Sequence, residues 1–233
     1  MRKVLAAAAG VAAAGALAIP AIAQSGGTTM TAKAEVSPSK AGTKKKPKGV
    51  KLKVKVTWDT PGDVEKPVIQ KADVLFPQGS LYNGAKHPKC SQAVLARSGP
   101  KACPKGSIMG TGSGNAFADD VITKPTITVV NGGGSSVFLY TVMTNPARVQ
   151  APVPGKITKM SGKWAYKLHL EVPRNLQIVA GVPIALRDLT INAGKGDWLA
   201  TTSCPSSKKW DFEVETFLST GGSSKTASSV RCS

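Results

Sequence analysis

The chain has 233 residues and carries 31 Lys and Arg against 13 Asp and Glu, a formal net charge of +18. That length is enough for one large all-β domain or two small ones, and the charge favours anionic partners, although it is also what keeps many exported proteins soluble. Only two histidines are present, without a serine or cysteine motif to accompany them, so the composition argues against a hydrolytic triad.

The N-terminus has the pattern of a cleaved secretory signal. A short basic start, "MRK", precedes an uncharged apolar run from Val4 to Ile19, and Ala21-x-Ala23 is the small-residue pattern of a cleavage site. The apolar run is shorter than the roughly 20 residues that a membrane-spanning helix needs. We therefore predict a signal peptide over residues 1–23, a secreted or cell-envelope protein, and no membrane span after cleavage.

Residues 24–49 have a composition that differs from the rest of the chain. They contain no aromatic residue and no sustained periodicity, and they are rich in Ser, Thr, Gly, Lys and Pro. Such a segment buries too little apolar surface to offset the entropy of ordering. The sequence therefore predicts a disordered Lys-rich arm over residues 24–49.

The folded part is predicted to begin at Val50. From there to Trp58, apolar residues alternate with Lys51, Lys53, Lys55 and Thr57, which indicates a strand with one buried and one lysine-rich face. Further short runs of this kind continue to the C-terminus, many separated by Gly, Pro, Asn or Ser. We predict one all-β domain over residues 50–233, an antiparallel β-sandwich of about nine or ten strands.

Two interruptions of this pattern suggest helix. Gln92 to Arg97 reads as a short helical insert, which Ser91 begins as N-cap and Gly99-Pro100 ends. The stretch from Arg174 to Gly181 is either a second short helix or an irregular apolar crossover.

Four cysteines on an exported chain predict two disulfides, because the thiols leave the reducing compartment. Three connectivities are possible, and we favour the two local pairs, Cys90 with Cys103 and Cys204 with Cys232. A metal or thioredoxin-like site would require closer spacing, such as C-x2-C. The first pair brackets the helical insert and is expected to hold its loop closed.

Glycines alternate in "IMGTGSGNA". The spacing of Gly110, Gly112 and Gly114 is G-x-G-x-G, which differs from the G-x-G-x-x-G fingerprint of dinucleotide-binding folds, and no helix pattern follows it. We predict a structural role, in which all three lie on one face of a strand and leave room for an aromatic ring or a neighbouring backbone.

Three acids also alternate, near the C-terminus. These acids are Asp211, Glu213 and Glu215. Acidic and apolar residues alternate from Trp210 to Glu215, so the acids share one face of a strand, with successive acids about 6.8 Å apart. That is near the lower limit for an inverting glycosidase pair, but such pairs flank a substrate rather than follow one strand. We favour a solvated outer face, opposite the lysines at 51, 53 and 55, and expect the tryptophans mainly in the core.

One long segment carries a resemblance to a known group. From Phe76 to Gly114 the chain has a Phe-Pro-x-Gly turn, Cys-Ser before the short helix, Ala-Cys-Pro after it, and the glycine-rich strand; the Cys-bounded hairpin from Cys204 follows. The segment resembles an uncharacterised family of exported, disulfide-containing β-rich proteins of high-GC Gram-positive bacteria. The resemblance implies secretion and a β-rich fold, and it carries no activity or site residue to this chain.

These observations favour a non-catalytic binding or structural protein of the cell envelope or extracellular space. We expect no catalytic residue, metal or cofactor, and a partner that is an anionic envelope polymer or acidic polysaccharide rather than a specific nucleic acid. The alternative is a secreted carbohydrate-active hydrolase that uses Asp211 or Glu213. The candidate anion-binding residues are Lys44, Lys45, Lys46, Lys48, Lys51, Lys53 and Lys55.

Overall fold

A computed structural model describes residues 27–62 and 65–233. The predicted signal peptide and residues 24–26 of the predicted arm lie outside the described residues. Within the two described ranges, no helix is long and apolar enough to cross a bilayer.

The described residues form sixteen strands and two short α-helices. The strands are β1 Thr29–Ser37, β2 Lys48–Gly49, β3 Lys51–Asp59, β4 Ile69–Pro77, β5 Ser80–Tyr82, β6 Ile108–Ala118, β7 Val121–Thr123, β8 Thr126–Gly133, β9 Ser136–Met143, β10 Val149–Lys159, β11 Trp164–Glu171, β12 Ile178–Val179, β13 Val182–Ala193, β14 Leu199–Thr201, β15 Lys209–Leu218 and β16 Ser223–Arg231. The helices are α1 Gln92–Ser98 and α2 Arg174–Gln177.

Eleven strands follow one another in a single antiparallel sheet, in the order β1-β3-β13-β6-β8-β9-β10-β11-β4-β15-β16, with β7 and β12 attached to its sides. The two outer strands of this path lie side by side. The Ala34 amide donates a hydrogen bond to Ser228 Oγ (2.9 Å), and Ser224 Oγ donates to the Thr28 carbonyl (3.3 Å). The sheet is therefore nearly closed on itself, and the all-β, antiparallel prediction is confirmed.

The expectation of a disordered arm over residues 24–49 is corrected for the part that the structure describes. Strand β1 pairs with β3 along its whole length, from Thr29 opposite Asp59 to Ser37 opposite Lys51. Its inward residues include Met30 and Ala34, both buried in the core. The ordered domain thus begins near Thr29 rather than at Val50, because β3 would otherwise present an unpaired edge that β1 covers.

The period-two alternation predicts the strand faces correctly. In β3, Val56 and Trp58 are buried while Lys51, Lys53 and Lys55 are exposed. In β15, alternate residues from Trp210 to Leu218 are buried. Strand geometry alone sets this outcome, since successive side chains point to opposite faces of a sheet.

Both predicted disulfides are present, with Cys90 bonded to Cys103 and Cys204 to Cys232. The first closes the loop that contains α1, whose N-cap Ser91 accepts a hydrogen bond from the Val94 amide (3.3 Å). Leu95 of α1 is fully buried in a cluster with Cys90, Val130, Phe138 and Tyr140, so the stapled helix covers the outer face of β8 and β9. The second helix is only Arg174–Gln177, and β12 follows it directly.

Candidate functional site

Lysines of two neighbouring strands share the outer face of the sheet. Lys33 on β1 lies opposite Lys55 on β3, and Glu35 lies opposite Lys53. Glu35 is the single acid within this group, and its carboxylate is 3.8 Å from Lys33 Nζ and 3.5 Å from Lys53 Nζ. All these side chains are about half exposed or more, so the ion pairs contribute little to stability and leave a positive surface.

The other predicted anion-binding lysines lie in the connection between β1 and β3. Lys44, Lys45 and Lys46 are exposed, and Lys48 is half buried where β2 pairs with β14. A turn orders this connection, because the Thr43 amide donates to the Lys46 carbonyl (3.0 Å) and the Lys46 amide donates to Thr43 Oγ1 (3.0 Å). The connection leads into β3 at Lys51, so the two predicted lysine sets are continuous along the chain.

The three acids of β15 do face outward, but they do not lie opposite Lys51, Lys53 and Lys55. That part of the expectation is wrong, because β15 pairs with β16 and β4. Asp211 accepts a hydrogen bond from Ser229 Oγ (2.5 Å), and Glu215 accepts one from Ser223 Oγ (3.0 Å).

The remaining acid of this row forms an ion pair. Lys225 Nζ is 2.7 Å from Glu213 Oε1, and the hydrogen bond to Glu213 raises the pKa of Lys225. Each of the three acids is thus engaged with β16 on an open strand face, which is not the arrangement of two carboxyl groups that flank a sugar.

Both histidines contact carboxylates. His87 Nε2 is 2.9 Å from Asp197 Oδ1, and His169 Nδ1 is 2.6 Å from Asp73 Oδ1. Lys167 reaches the other oxygen of Asp73 at 3.3 Å. Within residues 27–62 and 65–233, no group of three or more His, Cys, Asp or Glu is arranged to hold a metal ion.

The alternate glycines of β6 lie against the backbone of β13, which is the structural role predicted for them. A Cβ atom at Gly112 would lie 2.7 Å from the Thr190 carbonyl oxygen and 3.4 Å from Ile127 Cβ. Glycine therefore permits the close approach of β13, and the Ile191 side chain occupies the space above it.

The interior of the sheet contains two adjoining apolar cavities of about 120 and 150 Å³. They share a lining formed by β3, β4, β9, β11, β13 and β15. The residues that line both are Trp58, Ala72, Leu139, Leu170, Leu189 and Thr216. Trp58 Nε1 donates to Thr216 Oγ1 (3.2 Å), which in turn donates to Met30 Sδ (3.6 Å), so these polar atoms are already paired. An apolar cavity with satisfied polar groups stays dry.

This unfilled space has an energetic consequence. At about 24 cal/mol per Å³, cavities of 120 and 150 Å³ correspond to about 3 and about 4 kcal/mol relative to a filled core. Leu168 and Leu170 of β11 point inward yet are only half buried. The core is therefore hollow, and an apolar molecule that filled it would recover part of that free energy.

One end of the interior is closed by a small second sheet, in the order β2-β14-β5. Beneath it lies Trp198, which lines the larger cavity and donates from Nε1 to Asn131 Oδ1 (3.1 Å). The ring of Tyr82 meets that of Trp198 edge to face, and burial raises the pKa of Tyr82 to about 12.

Asn131 is the centre of this closure, and its side chain is fully buried. Its Nδ2 donates to the carbonyls of Gly84 (2.9 Å), Pro88 (3.0 Å) and His87 (3.2 Å). The sequence around this residue, "TVVNGGG", gives no sign of its role, because it carries only the signal of a strand that ends in a turn.

A surface pocket of about 560 Å³ lies at the other end, near Asp59. It lies where the pairing of β3 with β13 ends, at Thr57 opposite Asp188, and where a bulge at Arg187 interrupts the register between β13 and β6. We call this pocket the mouth. Trp58, Ile69 and Leu186 line both the mouth and the smaller cavity, so these side chains lie between the two spaces.

The mouth is more polar than the interior. Its lining includes two cations, Lys66 and Arg187, one acid, Asp59, and several threonines, of which Thr28 and Thr60 share a hydrogen bond (2.9 Å). Lys66 Nζ lies 4.9 Å from the centroid of the Phe117 ring, a cation–π contact at the pocket wall.

Comparisons of the chain with protein-family models, curated proteins and solved structures find no match.

Proposed function

We propose that the protein is a secreted or cell-envelope binding protein without catalytic activity, which holds an anionic envelope polymer or acidic polysaccharide on its lysine-rich outer face. The observation that carries the proposal is the row of exposed Lys33, Lys51, Lys53 and Lys55 on two paired strands, with Glu35 as the one acid among them. The lysines at 44, 45, 46 and 48 extend this surface.

Export is part of the same proposal. Two disulfides are compatible with an extracellular location. We also propose that residues 1–23 are a signal peptide and that the protein comes from a bacterium. We further propose that the sheet packs as a sandwich of two walls. The alternative of a carbohydrate-active hydrolase has less support, because Asp211 and Glu213 are hydrogen-bonded to β16 rather than placed around a cleft.

The lysine face can be tested with polyglycerol phosphate and alginate as probes. We expect the purified protein to bind both at low salt and to release them as salt rises, since exposed charges are screened. The variant K51Q/K53Q/K55Q should bind about tenfold more weakly, from three exposed contacts of about 0.5 kcal/mol each.

The matched control removes the same charge elsewhere, in K101Q/K105Q/K159Q, at three exposed lysines outside the proposed face. It should change the affinity by about twofold at most. If both triple variants lose affinity equally, only net charge attracts the polymer, and the proposed face is refuted.

A further inference from the structure

We propose that the hollow interior binds the hydrocarbon tail of a single-chain amphiphile with an anionic headgroup, of the fatty-acid class, and that the headgroup lies in the mouth beside Lys66 and Arg187. This site is separate from the lysine face and does not depend on the polymer-binding proposal.

The tail site follows from the chemistry of the cavity walls. The larger cavity is lined almost entirely by aliphatic and aromatic side chains contributed by strands all around the sheet. The polar atoms of Trp58, Thr216 and Trp198 are paired with one another or with Met30 and Asn131. With no free donor or acceptor from these groups to hold water, the space suits a hydrocarbon chain rather than a sugar or a nucleotide.

The route into the interior passes Trp58. This residue lines the mouth and both cavities, and its ring nitrogen is tied to Thr216. A chain that enters beside Trp58 reaches the smaller cavity first and then the larger one, which ends at Trp198. The mouth shares three lining residues with the smaller cavity but only Trp58 with the larger one, an order that fits an extended tail.

The headgroup site follows from the charges at the mouth. Lys66 and Arg187 outnumber the one acid, Asp59, in its lining. Over the described parts of the chain, none of the ion pairs involves either cation. Threonine hydroxyls at 29, 31 and 57 add hydrogen-bond donors around them. A carboxylate in this pocket would meet two cations and several hydrogen-bond donors within its walls.

The test uses dodecanoate as the probe, below its micelle concentration, with dodecyltrimethylammonium as a ligand of equal tail and opposite charge. Binding is measured by calorimetry and by the change in tryptophan fluorescence that Trp58 should report. We expect one dodecanoate per chain, and about tenfold weaker binding of the cationic ligand.

Variants separate the tail site from adsorption on the surface. Ala72→Phe fills space that both cavities share, so it should leave the melting temperature unchanged or higher and weaken dodecanoate binding about tenfold or more. Ala227→Phe, on the exposed face of β16, is the matched control and should leave binding unchanged. If Ala72→Phe fails to fold, Ala72→Leu is the smaller substitution.

The headgroup site is tested by K66Q/R187Q, with K101Q/K105Q as the control of equal charge. We expect dodecanoate binding about three- to tenfold weaker in the first variant alone. Absence of dodecanoate binding to the unmodified protein, or binding that Ala72→Phe or Ala72→Leu leaves intact, overturns the proposal. The variant K51Q/K53Q/K55Q should bind dodecanoate normally, so failure here and failure of the lysine face are distinguishable.

Discussion

The hydrogen-bond centre at Asn131 allows the sharpest test of the fold that closes the interior. Asn131→Asp replaces one NH₂ group by an oxygen with almost no change of shape. In the structure that NH₂ group faces three carbonyl oxygens, of Gly84, His87 and Pro88, at 2.9 to 3.2 Å. A carboxylate there loses these donors and meets acceptors instead.

The magnitude follows from the bonds lost. Two or three hydrogen bonds of about 1 kcal/mol each disappear, and buried groups left without a partner add about 1–3 kcal/mol. We therefore expect a loss of about 3–6 kcal/mol in the free energy of unfolding. Burial and the facing carbonyls raise the pKa of the introduced carboxyl above its unfolded value of about 3.9. The loss should therefore be smallest below about pH 4, where the carboxyl becomes protonated in both states, and should grow as the pH rises.

The assay is urea unfolding, followed by tryptophan fluorescence, at about pH 4 and about pH 7. Asn175→Asp, at an exposed position of α2, is the matched control and should change stability by less than about 0.5 kcal/mol. A loss below about 1 kcal/mol for Asn131→Asp at pH 7, or an equal loss at both pH values, would contradict the proposed network.

Three further predictions concern the framework. The disulfides close loops of 13 and 28 residues, so C90A/C103A should lower the free energy of unfolding by about 3 kcal/mol and C204A/C232A by about 3.6 kcal/mol, as measured by calorimetry. A decrease below about 1 kcal/mol for either variant would show that its disulfide does not stabilise the fold. Tyr82 should titrate near pH 12, so its contribution to stability is complete below about pH 10 and is lost as the pH rises toward 12. The pH titration of phenolate absorbance, compared between the protein and Tyr82→Phe, checks this value. If the two titration curves do not differ near pH 12, the prediction is wrong. Gly112→Ala should lower the free energy of unfolding by about 1–3 kcal/mol, because the added Cβ meets the backbone of β13. Gly62→Ala, which has open space around it, should leave stability unchanged. Equal Tm values for the two variants would contradict the close approach of β13 to Gly112.

The local features of this protein were predictable from sequence. The faces of β3 and β15 follow from a period of two, which is a property of a single extended strand. The helix α1 and its disulfide were also found, because Ser91, Gly99 and the two cysteines lie within a short stretch of chain. In each case the deciding contacts are between near neighbours.

Strand β1 shows where local signals become too weak. Its inward residues are Met30, Ala32, Ala34 and Val36, and the two alanines bury so little surface that their alternation resembles a polar tail. The strand forms because β3 offers an edge and β16, nearly 200 positions later, lies on its other side. The contact with β16 is too distant in sequence to be predicted from the composition of residues 24–49.

By itself, the sequence determined the strand faces and the row of lysines on β3, and it favoured the two local disulfide pairs, since each depends on residues that lie close together in the chain. Only the tertiary structure decided that eleven strands nearly close on themselves, that Asn131 and Trp198 lie at one end, and that the mouth with Arg187 lies at the other. A cavity is the space between side chains that lie far apart in the chain, so it arises from how opposite walls meet, which no single strand encodes.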